Sequence, residues 1–182
     1  METSTYVKKL VSNSGPAELS EHSSAIIKAL YFSANWCVSC QRFTLALTEF
    51  YKKVNNKLDR KEIEIIYVSA DESEDEFKEY YKDMPWLAVP FEETKAIEEL
   101  QSIYQIEEIP SLVIVDEDWK ALRVGGYFDL YKYHRKPQKV LKLWRSLYSK
   151  QETQGDNTKI KRCDSFKELS KPKSKNRCLF CC

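Results

Sequence analysis

Two closely spaced cysteines that follow a buried-strand pattern constrain this chain more than any other feature of its sequence. Residues 26–34 are mostly apolar and rich in aromatic side chains, which predicts a buried strand. Cys37 and Cys40 come directly after it. Beyond them, apolar residues recur at steps of four and three, which places them on one face of a helix: Phe43, Leu47, Phe50, Val54 and Leu58. A Cys-x-x-Cys motif therefore stands at a strand-to-helix junction.

The sequence beyond this helix continues to alternate between strand and helix patterns. Further strands are predicted over residues 63–70, 111–115 and 120–124. Further helices are predicted after the cap residues Ser73 and Thr94 and after Pro137. Ser73 and Glu76 fit a capping box, and Gly125 with Gly126 indicates a break. The alternation predicts an α/β domain with a mixed central β-sheet flanked by helices.

Charge and composition divide the chain at about residue 150. Residues 1–149 carry a net charge of −4, whereas residues 150–182 carry +5 and are mostly polar. Too little apolar surface remains in the second part to offset the entropy that folding would cost. We therefore expect one folded domain over 1–149 and a basic, cysteine-containing tail over 150–182.

Nothing in the composition indicates a membrane-spanning or secreted protein. The longest apolar stretch, residues 25–32, is interrupted by Lys28 and is far shorter than the roughly 20 residues that a bilayer requires. The first residues lack the hydrophobic run of a secretory signal. We expect a cytoplasmic, reducing environment, where clustered cysteines serve redox chemistry, metal binding or lipid attachment.

The position of Cys37 at a helix start favours redox chemistry. Unpaired backbone N–H groups and the positive end of the helix dipole stabilise a thiolate there. Cys37 would attack a substrate disulfide, and Cys40, one turn further, would resolve the mixed disulfide. The alternatives are half of a zinc site or two core cysteines. A structural zinc site needs four ligands and the body adds only His22 and His134, so we expect no metal or other cofactor.

Five stretches of the sequence carry a family resemblance. They are Tyr31-Phe32-Ser33-Ala34, Trp36-Cys37 with Cys40, Asp71-Glu72, Met84-Pro85-Trp86-Leu87-Ala88-Val89-Pro90-Phe91 and Ile109-Pro110-Ser111-Leu112. Through them the chain resembles the tryparedoxin and nucleoredoxin group of the thioredoxin-like superfamily, over about residues 31–117. The resemblance implies a thioredoxin fold and thiol–disulfide oxidoreductase activity on protein disulfides, with an upstream dithiol as electron donor.

The resemblance also implies roles for three residues near the cysteines. Pro110 would be a cis-proline that faces them, and the backbone of Ile109 would pair with an extended substrate. Trp36 would form an apolar platform beside Cys37. Without the resemblance, Pro110 would be interpreted as an ordinary proline at the start of a strand.

Proton transfer to the second cysteine needs a group that the sequence does not supply in the usual place. The resemblance puts Tyr31 where thioredoxins proper bury an aspartate that assists this transfer. Asp71 and Glu72 follow a strand that should run parallel to the one leading to Cys37, so they could relay protons at the same edge of the sheet. The alternative is that they are ordinary acids near a helix N-terminus.

Other classes of function fit the sequence less well. A basic cluster could contact nucleic acid, but the acidic body favours a solvated turn there, so we expect no nucleic-acid partner. This cluster consists of Lys132, His134, Arg135 and Lys136. The remaining alternative is a non-catalytic thioredoxin-like binding module or a membrane-localised redox adaptor, in which the cysteine pair senses rather than turns over.

The tail combines basic residues with three cysteines. Lys171, Lys173, Lys175 and Arg177 precede Cys178, Cys181 and Cys182. Basic charge together with attached lipid holds proteins on anionic membrane surfaces, so we expect lipidation of these cysteines and association with a membrane surface. An unmodified tail, a metal site and disulfide exchange with Cys37 are the alternatives.

Replacing Cys178, Cys181 and Cys182 with Ser tests this expectation. The natively expressed protein should carry a lipid mass and sediment with membranes, because each buried methylene of an attached chain contributes about 0.8 kcal/mol. The triple variant should lose both properties in mass spectrometry and membrane fractionation, and Cys163→Ser is the matched control. A wild-type protein without lipid in the soluble fraction would contradict the anchor.

Overall fold

The computed structural model describes residues 7–18, 25–56, 61–133 and 135–151. Its strands are β1 Leu10–Ser12, β2 Gly15–Ala17, β3 Ile27–Ser33, β4 Ile63–Ser69, β5 Leu87–Ala88, β6 Ser111–Val115 and β7 Ala121–Arg123. Its helices are α1 Val38–Val54, α2 Glu74–Tyr81, α3 Thr94–Ile103, α4 Gly126–Tyr133 and α5 Pro137–Gln151. The strands form one mixed sheet in the order β2-β1-β5-β4-β3-β6-β7. This architecture confirms the predicted α/β class with a mixed sheet flanked by helices.

The pairing of β3 with β4 organises the sheet. The two strands are parallel and in register over their full length, from Ile27 opposite Ile63 to Ser33 opposite Ser69. β6 pairs antiparallel with the other side of β3. Nearly every residue of both strands is buried, which explains why each appears in the sequence as a continuous apolar run. The carboxyl ends of β3 and β4 therefore meet at one edge of the sheet.

Two hydrophobic cores lie on opposite faces of the sheet. The core beneath α1, α2, α4 and α5 is rich in large aromatic residues, among them Tyr31, Tyr67, Trp86 and Trp144. The core beneath α3 includes Leu30, Phe32, Val68 and Leu100. Successive residues of β3 alternate between the two cores, as the period of two in a strand requires.

The helix starts differ in detail from the sequence prediction. The Ser73 side chain caps α2 by accepting a hydrogen bond from the Glu76 backbone N–H at 3.3 Å. The Glu76 carboxylate reaches back to the N–H of Glu72, one residue before the cap. Thr94 is the first residue of α3 rather than its cap, and Glu93 takes the cap position without a side-chain hydrogen bond. The predicted capping box is thus formed in a shifted version.

Three short strands were not predicted from the sequence. β1 and β2 form a hairpin, with Gly15 at a φ of +124°, a backbone conformation that favours glycine. β1 also pairs with β5 at Val11 and Ala88, which adds the hairpin to one edge of the sheet. With two or three residues each, these strands are too short to produce a recognisable period of two.

The glycine pair at 125–126 corrects another expectation, because Gly126 begins α4 instead of breaking the fold. Asp129 of α4 is buried and accepts hydrogen bonds from the Arg123 side chain and from Trp144 Nε1. These contacts tie α4 to β7 and α5. Lys132 therefore lies in the last turn of α4, whereas Arg135 and Lys136 are exposed residues of the turn that follows it.

Several sequence predictions concern residues that the structure does not describe. Cys178, Cys181 and Cys182 lie outside the described residues, as do His134 and Leu58. The division of the chain at residue 150 stays a prediction. Within the described ranges, no helix combines the length and apolar character needed to cross a membrane.

Close packing at Gly126 yields a prediction about stability. A Cβ atom at this position would lie 2.8 Å from the carbonyl oxygen of Leu112 and 3.0 Å from its side chain. Gly126→Ala should therefore lower the free energy of unfolding by about 1–3 kcal/mol, measured by urea denaturation. The neighbouring Gly125→Ala is the control, since a Cβ there meets nothing closer than 3.9 Å. Equal stability of both variants would contradict this account.

Candidate active site

Cys37 and Cys40 lie at the edge of the sheet where β3 ends and α1 begins. Cys37 is the N-cap residue of α1, with φ −89° and ψ 107°. The Cys40 backbone N–H donates to Cys37 Sγ at 3.3 Å, so the sulfur occupies the place of a capping oxygen. The two sulfurs form a disulfide, with the Cα atoms 5.1 Å apart. The spacing in the sequence thus brings both sulfurs within one helical turn.

The two cysteines differ in accessibility. Cys37 retains 8% of its surface, whereas Cys40 is completely buried. A partner sulfur can therefore approach Cys37 and not Cys40. Among the described residues, no group of three or more His, Cys, Asp or Glu side chains is arranged to hold a metal ion.

The Cys37 sulfur lies close to Ile109 and Ser39. The Ile109–Pro110 peptide bond is cis, the conformation that the family resemblance implies. The carbonyl oxygen of Ile109 lies 3.9 Å from Cys37 Sγ, although 72 residues separate them in sequence. The Ser39 hydroxyl lies 3.1 Å from the same sulfur. The contact between Ser39 and this sulfur was not predicted from the sequence, although the position of Ser39 between the two cysteines was the available signal.

Trp36 lies beside the cysteine pair on the side of β4. Its indole is 55% exposed, and Nε1 donates to the carbonyl oxygen of Ala70 at 3.2 Å. This bond links the loop before α1 to the end of β4. The exposed ring is placed next to Cys37 in the chain, so it is available to a molecule that approaches the sulfur.

Asp71 and Glu72 occupy different environments. Asp71 is partly buried, and its Oδ1 accepts from the Asn35 backbone N–H at 2.5 Å. Its Oδ2 accepts from the hydroxyls of Tyr67 and Ser69 at 2.8 and 2.7 Å. Glu72 is exposed. Asp71 thus fastens the loop that carries the cysteines to the end of β4.

An aromatic group of α4 flanks the site on the side opposite β4. Tyr127 packs edge-on against Phe43 of α1, with ring centroids 4.8 Å apart. Phe128 is 49% exposed and contacts Tyr127. Gly126 lies against Leu112, two residues after Pro110. These residues were not predicted, because the pair Gly125-Gly126 indicated a break and no helix was expected in this segment.

A comparison with protein families places the chain. A family model described as thioredoxin-like matches residues 27–121, slightly more than half of the chain. The match includes the cysteine pair, Pro110 and all strands from β3 to β6. The chain belongs to this thioredoxin-like family of oxidoreductases, as the family resemblance of the sequence indicated.

Curated relatives carry the names tryparedoxin and nucleoredoxin. The chain is 42% identical to tryparedoxin of Trypanosoma brucei brucei over 93 residues, which is 51% of this chain and 62% of that protein. It is 37% identical to human nucleoredoxin over 116 residues, which is 59% of this chain and 26% of that protein. The chain thus aligns with less than two thirds of the length of these relatives.

Solved structures show the same fold. Tryparedoxin II in complex with glutathionylspermidine has a TM-score of 0.66 and 31% identity, covering 75% of this chain and 91% of that one. Tryparedoxin I from Leishmania major gives a TM-score of 0.66 and 33% identity, covering 74% of this chain and 91% of that one. These matches confirm the thioredoxin fold that the resemblance implied.

The Ser39 hydroxyl beside the Cys37 sulfur yields a testable prediction. In the reduced protein it is placed to donate a hydrogen bond to a Cys37 thiolate, and such a bond contributes on the order of 1 kcal/mol. Ser39→Ala should therefore lower the rate of alkylation of Cys37 at neutral pH by about fivefold. Iodoacetamide labelling followed by mass spectrometry measures this rate. Val38→Ala is the control. An unchanged rate in Ser39→Ala would show that the hydroxyl does not stabilise the Cys37 thiolate.

Proposed function

We propose that this protein reduces disulfide bonds in other proteins through the dithiol of Cys37 and Cys40. The observation that carries the proposal is the pairing of a slightly exposed cysteine at a helix N-terminus with a fully buried cysteine three residues further on. The helix end stabilises a thiolate at Cys37, and burial keeps Cys40 away from external partners. This asymmetry suits Cys37 as the nucleophile and Cys40 as the resolving cysteine.

The reaction proceeds in two exchange steps. The Cys37 thiolate bonds to one sulfur of the substrate disulfide, and the other substrate sulfur leaves as a thiolate and takes up a proton. Cys40, after losing its proton to water, bonds to the Cys37 sulfur, and the remaining substrate sulfur leaves. Two electrons pass to the substrate, and an upstream dithiol restores the pair by the reverse exchange.

Substrate binding is assigned to Trp36, Ile109 and Pro110. An extended substrate segment that brings its disulfide to Cys37 passes the backbone of Ile109, whose carbonyl oxygen is adjacent to the sulfur. The exposed Trp36 ring supplies apolar surface on the other side. Phe128 adds a second exposed aromatic ring near the site.

The contacts of Asp71 favour a positioning role over a proton relay. Three donors occupy its two oxygens, so the carboxylate is engaged in holding the loop before α1. Glu72 is exposed, and its backbone N–H donates to the Glu76 carboxylate near the start of α2. Both residues fit the alternative interpretation of acids near a helix start better than a chain of proton donors to Cys40.

The electron donor and the location of the protein are separate proposals. Because one similar structure is a complex with glutathionylspermidine, donor assays should include a glutathione conjugate as well as a protein dithiol. The chain aligns with only 62% of tryparedoxin of Trypanosoma brucei brucei, so the donor does not transfer from that protein by similarity alone. A cytoplasmic location with a lipid-anchored tail remains the prediction of the sequence.

Reduction of insulin disulfides, with dithiothreitol as electron donor, tests the proposed activity. The wild-type protein should accelerate the precipitation of the insulin B chain well above the rate with dithiothreitol alone. Cys37→Ser and Cys40→Ser should both fall to that background, because each removes one of the two exchange steps. A wild-type rate at background would favour the non-catalytic binding module or redox adaptor.

Trapping of partners distinguishes the roles of the two cysteines. Cys40→Ser should accumulate mixed disulfides with partner proteins, because Cys37 still attacks and nothing resolves the product. Cys37→Ser should accumulate none. Both variants should also carry Ser at Cys163, Cys178, Cys181 and Cys182, so that the tail cysteines cannot contribute. Equal trapping by both variants would contradict the assignment of Cys37 as the nucleophile and Cys40 as the resolving cysteine.

A further inference from the structure

Four buried hydroxyl groups form a continuous chain beneath the cysteine motif. The Ser33 hydroxyl lies 3.0 Å from that of Tyr80, and Tyr80 lies 2.5 Å from that of Thr44. Thr44 lies 2.8 Å from the hydroxyl of Tyr31, which donates to the backbone carbonyl oxygen of Cys40 at 3.4 Å. The chain joins β3, α2 and α1, and each of its four residues is buried. We name it the hydroxyl chain.

Only one link of the hydroxyl chain has a donor that chemistry determines. The carbonyl oxygen of Cys40 can only accept, so Tyr31 is the donor in that bond. Each of the other three links joins two hydroxyls, and either of them can donate. Because each hydroxyl has one hydrogen, removing one hydroxyl changes the bonds that its neighbours can make.

The hydroxyl chain contacts the Cys40 side of the motif and not the Cys37 side. It ends at the backbone of Cys40 and includes Thr44, which lies one turn further along α1. The contacts of the Cys37 sulfur are different, namely the Ser39 hydroxyl, the N–H of Cys40 and the carbonyl oxygen of Ile109. Apart from the Cys40 backbone, which takes part in both, the groups around the two cysteines are different.

We propose that the hydroxyl chain is a positioning device for Cys40, which sets the rate at which the mixed disulfide is resolved without affecting the first attack by Cys37. This inference rests on the proposed function. In the resolving step the Cys40 thiolate bonds to the Cys37 sulfur, the bond from Cys37 to the partner sulfur breaks, and the partner leaves as a thiolate. Because this step is intramolecular, its rate depends on how closely the first turn of α1 holds Cys40 in line.

Burial supports the role of Tyr31 as a permanent donor. The pKa of Tyr31 is raised well above its ordinary value, chiefly because burial disfavours the phenolate. The hydroxyl therefore keeps its hydrogen throughout the pH range in which a thiolate forms at Cys37. Tyr31 thus stands where thioredoxins proper bury an aspartate. It is a neutral group, so its hydrogen bond does not change with pH.

Reaction with Ellman's reagent separates the two steps. The reduced Cys37 attacks the reagent and releases one thionitrobenzoate, at a rate that rises with reagent concentration. Cys40 then displaces the second thionitrobenzoate from Cys37 at a rate that does not depend on concentration. Stopped-flow absorbance resolves both phases. The experiment uses the full chain with Ser at Cys163, Cys178, Cys181 and Cys182, so that only the motif reacts.

Tyr31→Phe should slow the second phase by about fivefold, which corresponds to the loss of about 1 kcal/mol of hydrogen bonding, and leave the first phase unchanged. Tyr51→Phe is the matched control. Its hydroxyl is also on a buried tyrosine of the same core, but it donates to Glu64 and is not part of the hydroxyl chain.

Variants at Thr44 and Tyr80 test whether the chain acts as a unit. Thr44→Val should slow the second phase and Thr44→Ser should restore it, because only Ser keeps the hydroxyl. The double variant of Tyr31→Phe and Tyr80→Phe should be little slower than the single variants, since both interrupt one chain.

Three results would overturn the positioning role. The first is a second phase that is unchanged in Tyr31→Phe and Thr44→Val. The second is an equal slowing of both phases, and the third is the same slowing in Tyr51→Phe; either of these would indicate general loosening of the core. The proposed function fails separately, if the unsubstituted motif shows no second phase or no insulin reduction. Thr44→Ser keeps the test valid should Tyr31→Phe not fold.

Discussion

The parallel pairing of β3 and β4 is the constraint on which the rest of this structure depends. Because the strands are in register to their last residues, the segments that follow them emerge side by side, and Ala70 N–H continues the ladder to the carbonyl oxygen of Ser33 at 2.9 Å. The loop before α1 is then fastened to the end of β4 by Trp36 and by Asp71. The loop that leads to Cys37 is therefore fixed to the ends of β3 and β4, and the Cys37 sulfur lies at the N-terminus of α1.

Several polar groups are buried at this edge of the sheet. Ser33 and Ser69 end the two central strands, and Tyr80 of α2 and Tyr67 of β4 direct their hydroxyls toward them. A buried polar group stabilises a protein only when it is hydrogen-bonded, and a network with one missing member costs more than an apolar replacement. These residues therefore favour one arrangement of α1 against the sheet. Because Cys37 and Cys40 lie at the start of α1, that arrangement also fixes their position.

The long strands and helices were predicted well from the sequence. The shortest strands, and a helix that depends on tertiary contacts, were missed. β3, β4, α1 and α5 each carry an apolar pattern long enough to show its period, and each was found close to the predicted place. β1, β2 and β5 have two or three residues and gain their structure from their partners. α4 was missed because Gly125 and Gly126 suggest a break, whereas the buried Asp129, bound by Arg123 and Trp144, holds the helix in place.

The sequence by itself determined what depends on near neighbours in the chain. Two cysteines three residues apart, after a buried strand and before an amphipathic helix, are brought together by the geometry of one helical turn. The tertiary structure alone decided what surrounds them. Ile109 reaches the Cys37 sulfur across 72 residues, and Thr44 meets Tyr80 across 36. Such contacts depend on how strands and helices pack against one another. The pattern of side chains within one strand or helix does not predict which residue of another element will contact it.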